Sequence, residues 1–300
     1  MTHTCNAPII KCDQLTHYYG KRLIYEGLSF EVPKGRILGL LGKNGTGKTT
    51  TINILAGYLK PAAGSCQMLG YDIHQMPPEV KARIALLIEG HVQYSFMTVT
   101  EIEKFYSKFY PRWQKDIYYD LISLLHIAPR QKVSNMSCGQ RSQVALGLIL
   151  AQDADLLILD DFSLGLDPGY RRLFIDYLKD YTQGRDKTVF LTSHIIQDME
   201  RLIDDCIILD YGKILIQTPI DDLMKRFHRY VIAVGDKVRS LPQDPKFYYT
   251  AVIGGQAEVH TFEDKEYLQA YLQREQIPYT TLEEEQMSLE DVFIGLTGKY

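Results

Sequence analysis

The chain has 300 residues, 45% of them apolar, and a formal net charge of −4. This length allows one large domain with a smaller one, and the apolar content can supply ordinary hydrophobic cores. No stretch of about 18 apolar residues occurs, so the sequence predicts no membrane-spanning helix. The charge balance, without a long basic run, argues against nucleic acid as the main partner.

The N-terminus and the cysteines indicate a reducing compartment. Residues 1–8 are polar and lack the basic and apolar regions of a secretory signal, which predicts a chain that stays in the cytoplasm. No C-x-x-C spacing is present, so neither a disulfide framework nor a zinc cluster is expected. The thiols expected to be reduced are those of Cys5, Cys12, Cys66, Cys138 and Cys206.

A phosphate-binding loop lies between a predicted strand and a predicted helix. Residues 8–32 contain strand-like segments that predict a small β-subdomain, and residues 36–41 (RILGLL) read as a buried strand. Residues 42–49 (GKNGTGKT) fit G-x-x-x-x-G-K-[ST], and residues 50–59 follow as a helix. Backbone amides and the positive end of that helix attract anions, Lys48 adds a charge, and the Thr49 hydroxyl can ligate Mg²⁺. A nucleoside triphosphate is therefore expected, but the loop alone does not separate kinases, G proteins, helicases and transport ATPases.

The middle of the chain is predicted to be mostly helical. Residues 84–88 form a strand that ends before Glu89, and residues 89–152 follow. In residues 100–111 the apolar positions Ile102, Phe105, Tyr106 and Phe109 have helical spacing. This stretch and its neighbours are rich in aromatic residues, which belong either to a core or to a binding groove.

Further motifs follow in a fixed order. Residues 136–140 (MSCGQ) precede a helix predicted over 141–151, and residues 156–161 (LLILDD) form a buried strand that ends in two carboxylates. Residues 163–168 (SLGLDP) come next, and residues 189–194 (VFLTSH) form a strand that ends in a histidine. With these motifs in this order, residues 8 to about 220 resemble the ATP-binding cassette (ABC) ATPases, most closely the single-cassette subunits of bacterial ABC exporters.

The resemblance implies an α/β fold: a P-loop ABC ATPase core with an N-terminal antiparallel β-subdomain and an inserted helical subdomain over about 89–152. The pattern of the remaining segment adds a small C-terminal α+β appendage. It also implies ATP and Mg²⁺ as ligands. Tyr19 would stack on adenine, Thr49 and Asp160 would hold Mg²⁺, Asp161 would take the place of the catalytic glutamate, and His194 would lie near the γ-phosphate. The other expected nucleotide-binding residues are Asn44, Gly45, Thr46, Gly47, Lys48, Thr50 and the signature residues Ser137, Gly139 and Gln140.

Three residues depart from the family pattern and predict slow hydrolysis. Asp161 keeps the carboxylate but shortens the side chain, which moves its oxygens by roughly 1 Å, a displacement that can cost about 10²-fold in rate. Cys138 replaces the first glycine of the signature. Glu89, a candidate catalytic and metal-binding residue, stands where the family has a glutamine, so a negative charge replaces a neutral ligand next to magnesium. Gln93 is the alternative for that role.

Partners are also implied by the resemblance. ABC cassettes act as head-to-tail dimers, so a second cassette, identical or different, and a polytopic membrane permease are expected, with the chain peripheral on the inner face of the cell membrane. The aromatic residues of the helical segment could line the groove for the permease. The alternatives are a soluble ABC ATPase switch on ribosomes or chromosomes, and a regulatory module that holds ATP but barely hydrolyses it.

The segment after residue 220 carries its own pattern and is predicted as a separate domain, 221–300, beside the ATPase domain, 1–220. Residues 230–234 and 247–253 read as strands, Gly254 and Gly255 as a hairpin turn into a strand over 257–262, and residues 265–273 as a helix. This small α+β appendage is either a packing cap or a regulatory or dimer-contacting module.

Overall fold

A computed structural model describes residues 7–88, 94–163 and 165–298. The chain divides into two compact units, residues 1–216 and 217–300. Glu89 and Gln93, the alternatives for the metal-contacting position, lie outside the described residues. In the described ranges, no helix combines the length and the apolar character needed to cross a membrane.

The secondary structure alternates strands and helices through most of the chain. The strands are β1 (Ile10–Tyr19), β2 (Arg22–Val32), β3 (Ile37–Gly42), β4 (Ala63–Met68), β5 (Tyr71–Asp72), β6 (Ile84–Leu87), β7 (Leu156–Leu159), β8 (Thr188–Thr192), β9 (Asp205–Asp210), β10 (Lys213–Pro219), β11 (His228–Ala233), β12 (Phe247–Ile253), β13 (Gln256–Thr261) and β14 (Leu282–Glu285). The helices are α1 (Lys48–Leu55), α2 (Pro78–Lys81), α3 (Val99–Tyr106), α4 (Lys115–Leu124), α5 (Cys138–Ala151), α6 (Pro168–Thr182), α7 (Ile196–Leu202), α8 (Ile220–Arg226), α9 (Lys265–Arg274) and α10 (Leu289–Thr297).

The central sheet of the first unit has the strand order β10-β9-β3-β8-β7-β6. Strand β3 runs parallel to both β8 and β9, and β7 runs parallel to both β8 and β6. The runs LLIL in β7 and TVFLT in β8 are buried at every position, as expected for parallel strands covered on both faces. The carboxyl ends of β3, β8 and β7 are therefore neighbours at one edge of the sheet.

A second sheet combines β1 and β2 with β4 and β5, which follow β3 and α1 in the chain. Its strand order is β2-β1-β4-β5, and each strand runs antiparallel to its neighbours. In the helical segment, α3, α4 and α5 share a core that includes Ile102, Tyr118 and Val144. Helix α3 begins with a capping box between Thr98 and Glu101 and ends at Tyr106, earlier than predicted.

The predicted ends of two other helices also differ from the structure. Helix α1 begins at Lys48 and ends at Leu55, where a helix over 50–59 was expected, because the chain turns at Gly57. Helix α5 begins at Cys138, three residues before the predicted start, because Ser137 caps it. Periodicity shows where a helix is amphipathic, whereas caps and turns decide where it ends.

The second unit is an antiparallel sheet with helices. The strand order is β12-β13-β11-β14. Gly254 and Gly255 join β12 to β13 with φ of +57° and +76°, the pair of left-handed residues that a type I′ hairpin turn requires. Tyr230, Leu268 and Leu272 belong to the core of the unit.

The predicted α/β fold class, with an antiparallel β-subdomain and an α+β appendage, is confirmed.

Candidate functional site

The phosphate loop connects β3 to α1 at the carboxyl edge of the central sheet. Gly45 and Gly47 have φ of +82° and +104°. A Cβ on Gly47 would lie 2.8 Å from Cγ2 of Ile24, so the loop packs too closely for a side chain there. Thr46 is buried and its hydroxyl donates to the carbonyl of Lys43 at 2.8 Å. Thr46 therefore stabilises the loop conformation through a hydrogen bond within the loop.

Lys48, the first residue of α1, is held against the loop. Its ammonium group donates to the carbonyls of Gly42 at 2.6 Å and Lys43 at 3.1 Å. Burial lowers the pKa of Lys48 below its usual range, and the charges of Asp161 and Asp160 oppose this change. A cation partly removed from water at a helix N-terminus is suited to attract phosphate oxygens.

Asp160 follows β7 and is buried below the loop. Its Oδ1 accepts a hydrogen bond from the Thr192 hydroxyl at 2.7 Å and lies 3.4 Å from the Thr49 hydroxyl oxygen. Burial raises the pKa of Asp160, while the hydroxyls of Thr192 and Thr49 oppose the increase. A carboxylate and a hydroxyl this close are hard oxygen donors, so Thr49 and Asp160 fit Mg²⁺.

Asp161 and His194 form a hydrogen-bonded pair. Oδ1 of Asp161 lies 2.6 Å from Nδ1 of His194, and it also accepts from the His194 backbone N–H at 3.4 Å. The backbone of Asp161 has φ of +46°, in the left-handed region where Asp and Asn are tolerated better than longer side chains. The backbone N–H of Asp161 donates to the Thr192 hydroxyl at 2.9 Å. Thr192 thus links the two carboxylate residues.

The loop, Asp161, Thr192 and His194 line a cleft of about 390 Å³, whereas the buried Thr46 and Asp160 do not line it. Tyr19 lies at its rim, half exposed, with its hydroxyl 3.4 Å from that of Thr50. The predicted site residues that line the cleft are Tyr19, Asn44, Gly45, Gly47, Lys48, Thr49, Thr50, Asp161 and His194.

Sequence reasoning missed three residues that line the same cleft, namely Arg22, Ile24 and Thr192. Arg22 pairs directly with Tyr19 across the turn between β1 and β2. Its closeness in sequence to Tyr19, the predicted adenine-stacking residue, could have identified it as a site residue. Thr192 precedes His194 by two residues. Its role depends on the position of β7 beside β8, and no local sequence pattern shows that these two strands are neighbours.

The signature residues do not line this cleft. Ser137 caps α5 in a reciprocal capping box, in which each of Ser137 and Gln140 accepts from the other's backbone N–H at 3.1 Å. A Cβ on Gly139 would lie 2.5 Å from the ring of Tyr170, so close packing alone accounts for a glycine there. Cys138, between them, is exposed.

Comparison with known proteins places this geometry in a family. A family model described as ABC transporter matches residues 25–163. The chain is 32% identical over 229 residues to the bacitracin transport ATP-binding protein BcrA of Bacillus licheniformis, covering 74% of each chain. It is 27% identical over 322 residues to the Nod factor export ATP-binding protein I of Ralstonia nicotianae, covering 98% of this chain and 95% of that one. A solved structure of an ATP-binding subunit of an ABC transporter superimposes with a TM-score of 0.64 at 24% identity, over 72% of this chain and 92% of that one.

Proposed function

The chain belongs to the ABC transporter family as an ATP-binding subunit of exporter type, and from this premise we propose that its cleft binds and hydrolyses Mg·ATP to drive a separate membrane subunit. The observation that carries the proposal is the meeting of three groups at one edge of the central sheet. These groups are the phosphate loop after β3, the two carboxylates after β7 and the histidine after β8. Ligands of open α/β sheets bind at this edge.

The cleft offers separate subsites for the phosphates and for the base. Lys48 and the backbone amides of Gly45 and Gly47 supply positive charge and donors for the phosphate chain. Tyr19, half exposed at the rim, supplies a flat aromatic face for the adenine. Stacking of this kind positions the base without hydrogen bonds to its edges.

Thr49 and Asp160 would hold Mg²⁺, which neutralises charge on the phosphate oxygens when it is bound. The raised pKa of Asp160 reflects the cost of burying a charge there. A bound cation offsets this cost, so metal binding and ionisation of Asp160 reinforce each other.

Asp161 orients the attacking water, and His194 holds Asp161 in place. The water oxygen forms a bond to the γ-phosphorus, the bond from that phosphorus to the bridging oxygen breaks, and ADP leaves with its electron pair. One proton of the water passes to an oxygen of the released phosphate. The 2.6 Å contact between the two side chains restricts the carboxylate to one orientation. Because Asp is one methylene shorter than Glu, we propose that the water is held less well and that hydrolysis is slow.

The signature residues complete a site on a second cassette. Ser137, Gly139 and Gln140 lie at the N-terminus of α5, a 14-residue helix, away from the cleft of their own chain. The N-terminus of a helix attracts anions, so this end would contact the phosphates of a nucleotide held by the second cassette. Such a dimer places Asp161 in the chain's own site and Cys138 in the partner's site.

An aromatic patch (Tyr94, Phe96, Phe105, Tyr106 and Phe109) is the proposed contact with the membrane subunit. The ring centroids of Tyr94 and Phe105 are 5.0 Å apart, and those of Phe105 and Phe109 are 5.1 Å apart. Phe96 and Phe109 are 67% and 61% exposed, whereas Tyr118 on α4 is buried in the core. Clustered exposed rings of this kind mark interaction surfaces. Through this patch the chain would lie peripherally at the membrane.

Two experiments test the proposal. The Lys48→Ala variant should lose ATP binding and hydrolysis, measured on the chain purified with its membrane subunit. The double variant Phe96→Ala/Phe109→Ala should fail to recover a polytopic protein when the tagged chain is purified from gently solubilised membranes. Tyr58→Ala is the matched control, since Tyr58 is 63% exposed outside the patch. Equal recovery with the double variant and with the control would refute the contact.

A further inference from the structure

The hairpin that carries Tyr19 also presents a cation to the cleft. Arg22 begins β2 and is the direct partner of Tyr19 in the β1–β2 register, across the turn formed by Gly20 and Lys21. Directly opposed residues of an antiparallel pair project from the same face of the sheet. The hairpin end therefore offers an aromatic ring and a guanidinium group side by side.

The guanidinium lies over the phosphate loop. A Cβ built on Gly45 would be 3.3 Å from Nη2 of Arg22, which places the charged end of Arg22 next to a loop glycine. Arg22 lines the cleft together with Lys48 and Thr49. It is also shared with an adjoining cleft of about 330 Å³ that reaches the turn at Tyr211 and Gly212.

Within residues 7–88, 94–163 and 165–298, no hydrogen bond or ion pair engages Arg22, in contrast to Lys48, whose ammonium donates to two loop carbonyls. An exposed arginine with five free donors and no carboxylate partner is suited to bind an anion, and its planar fork matches phosphate oxygens. The nearest element that would hold such oxygens is the loop itself.

We propose that Arg22 is a further binding residue for the nucleotide and donates to its phosphate chain. The inference rests on the proposed function, since it assumes that ATP occupies the cleft with its phosphates on the loop. It assigns to the β1–β2 hairpin two tasks, base stacking through Tyr19 and phosphate binding through Arg22. Nucleotide binding then fixes this hairpin to the loop through two side chains.

Equilibrium binding to the purified full-length chain tests the inference. The ligands are Mg·ATP and tripolyphosphate, which has neither base nor ribose. Charge-assisted hydrogen bonds at exposed positions correspond to roughly tenfold in affinity. Arg22→Ala should lower the affinity for both ligands by about this factor. The affinities of Arg22→Lys should lie between those of the wild type and of Arg22→Ala, because lysine keeps the charge but lacks the planar fork.

Lys21→Ala is the matched control, since it removes the same charge from the same exposed turn without touching the cleft. If Arg22→Ala binds both ligands as tightly as Lys21→Ala does, the inference is wrong. It is also wrong if Arg22→Ala weakens ATP but not tripolyphosphate, because the guanidinium then stacks on the base. If the Lys48→Ala variant binds ATP as tightly as the wild type does, the proposed nucleotide site is refuted instead.

Discussion

Thr192 joins the two carboxylate residues, and the Thr192→Val variant removes this link while keeping the volume of the side chain. The residue is buried, and its hydroxyl donates to Asp160 at 2.7 Å and accepts from the backbone N–H of Asp161 at 2.9 Å. A hydrogen bond to a charged group contributes about 1.5–3 kcal/mol, and a buried N–H left without a partner costs about 1–3 kcal/mol. Since Asp160 keeps its contact with Thr49, we expect a loss of about 3 kcal/mol.

The assay is urea unfolding followed by circular dichroism, with Thr188→Val as the control. Thr188 is a buried threonine on the same strand, and its hydroxyl accepts from the backbone N–H of Gly35 at 2.9 Å. With a slope of about 3 kcal/mol per molar urea, Thr192→Val should lower the midpoint by about 1 M and Thr188→Val by about a third of that. Only Thr192→Val should also reduce hydrolysis. Equal midpoints and equal rates for the two variants would refute the bridging role of Thr192.

Three other predictions concern the carboxylates and the thiols. Asp161→Glu should raise the ATPase rate of the assembled complex, by up to about 10²-fold; an unchanged or lower rate would contradict the argument on carboxylate reach. Asp160→Asn should raise the melting temperature of the nucleotide-free chain near neutral pH, and the gain should shrink on acidification. Burial raises the pKa of Asp160, so the folded state binds the proton more tightly than the unfolded state does, and stability falls as pH rises through that pKa; a gain independent of pH would contradict this. In a Cys5→Ser background, Ellman's reagent should titrate only Cys138 quickly, because Cys138 is exposed whereas burial raises the pKa of Cys206 to about 12; fast reaction of a second thiol would contradict the described packing.

The sequence allowed prediction of the parts of the site that are local along the chain. The phosphate loop, the strand before Asp160 and the strand before His194 each combine a buried apolar run with polar residues at its end. Runs of this type predict parallel strands, and parallel strands that end in polar residues bring those residues to one edge. The meeting of loop, carboxylates and histidine follows from these two rules.

The features that sequence reasoning missed depend on contacts between distant parts of the chain. The bridging position of Thr192 arises because β8 lies beside β7. The contact of Arg22 with the loop depends on how the β1–β2 hairpin folds over Gly45. Cys12 and Cys66 are 54 residues apart, yet their sulfur atoms lie 3.2 Å apart because they are opposite each other in the β1–β4 register. No rule based on spacing along the sequence predicts these contacts.

We propose that Asp161 orients the attacking water in a cleft that binds Mg·ATP. The direct measurement compares ATP binding and hydrolysis by wild-type and Asp161→Asn chains, each purified with the membrane subunit. Asparagine is isosteric and also tolerates the left-handed backbone at φ of +46°, so the fold should persist. We expect the variant to bind ATP as the wild type does and to hydrolyse it at least tenfold more slowly. Hydrolysis at the wild-type rate would contradict this proposal.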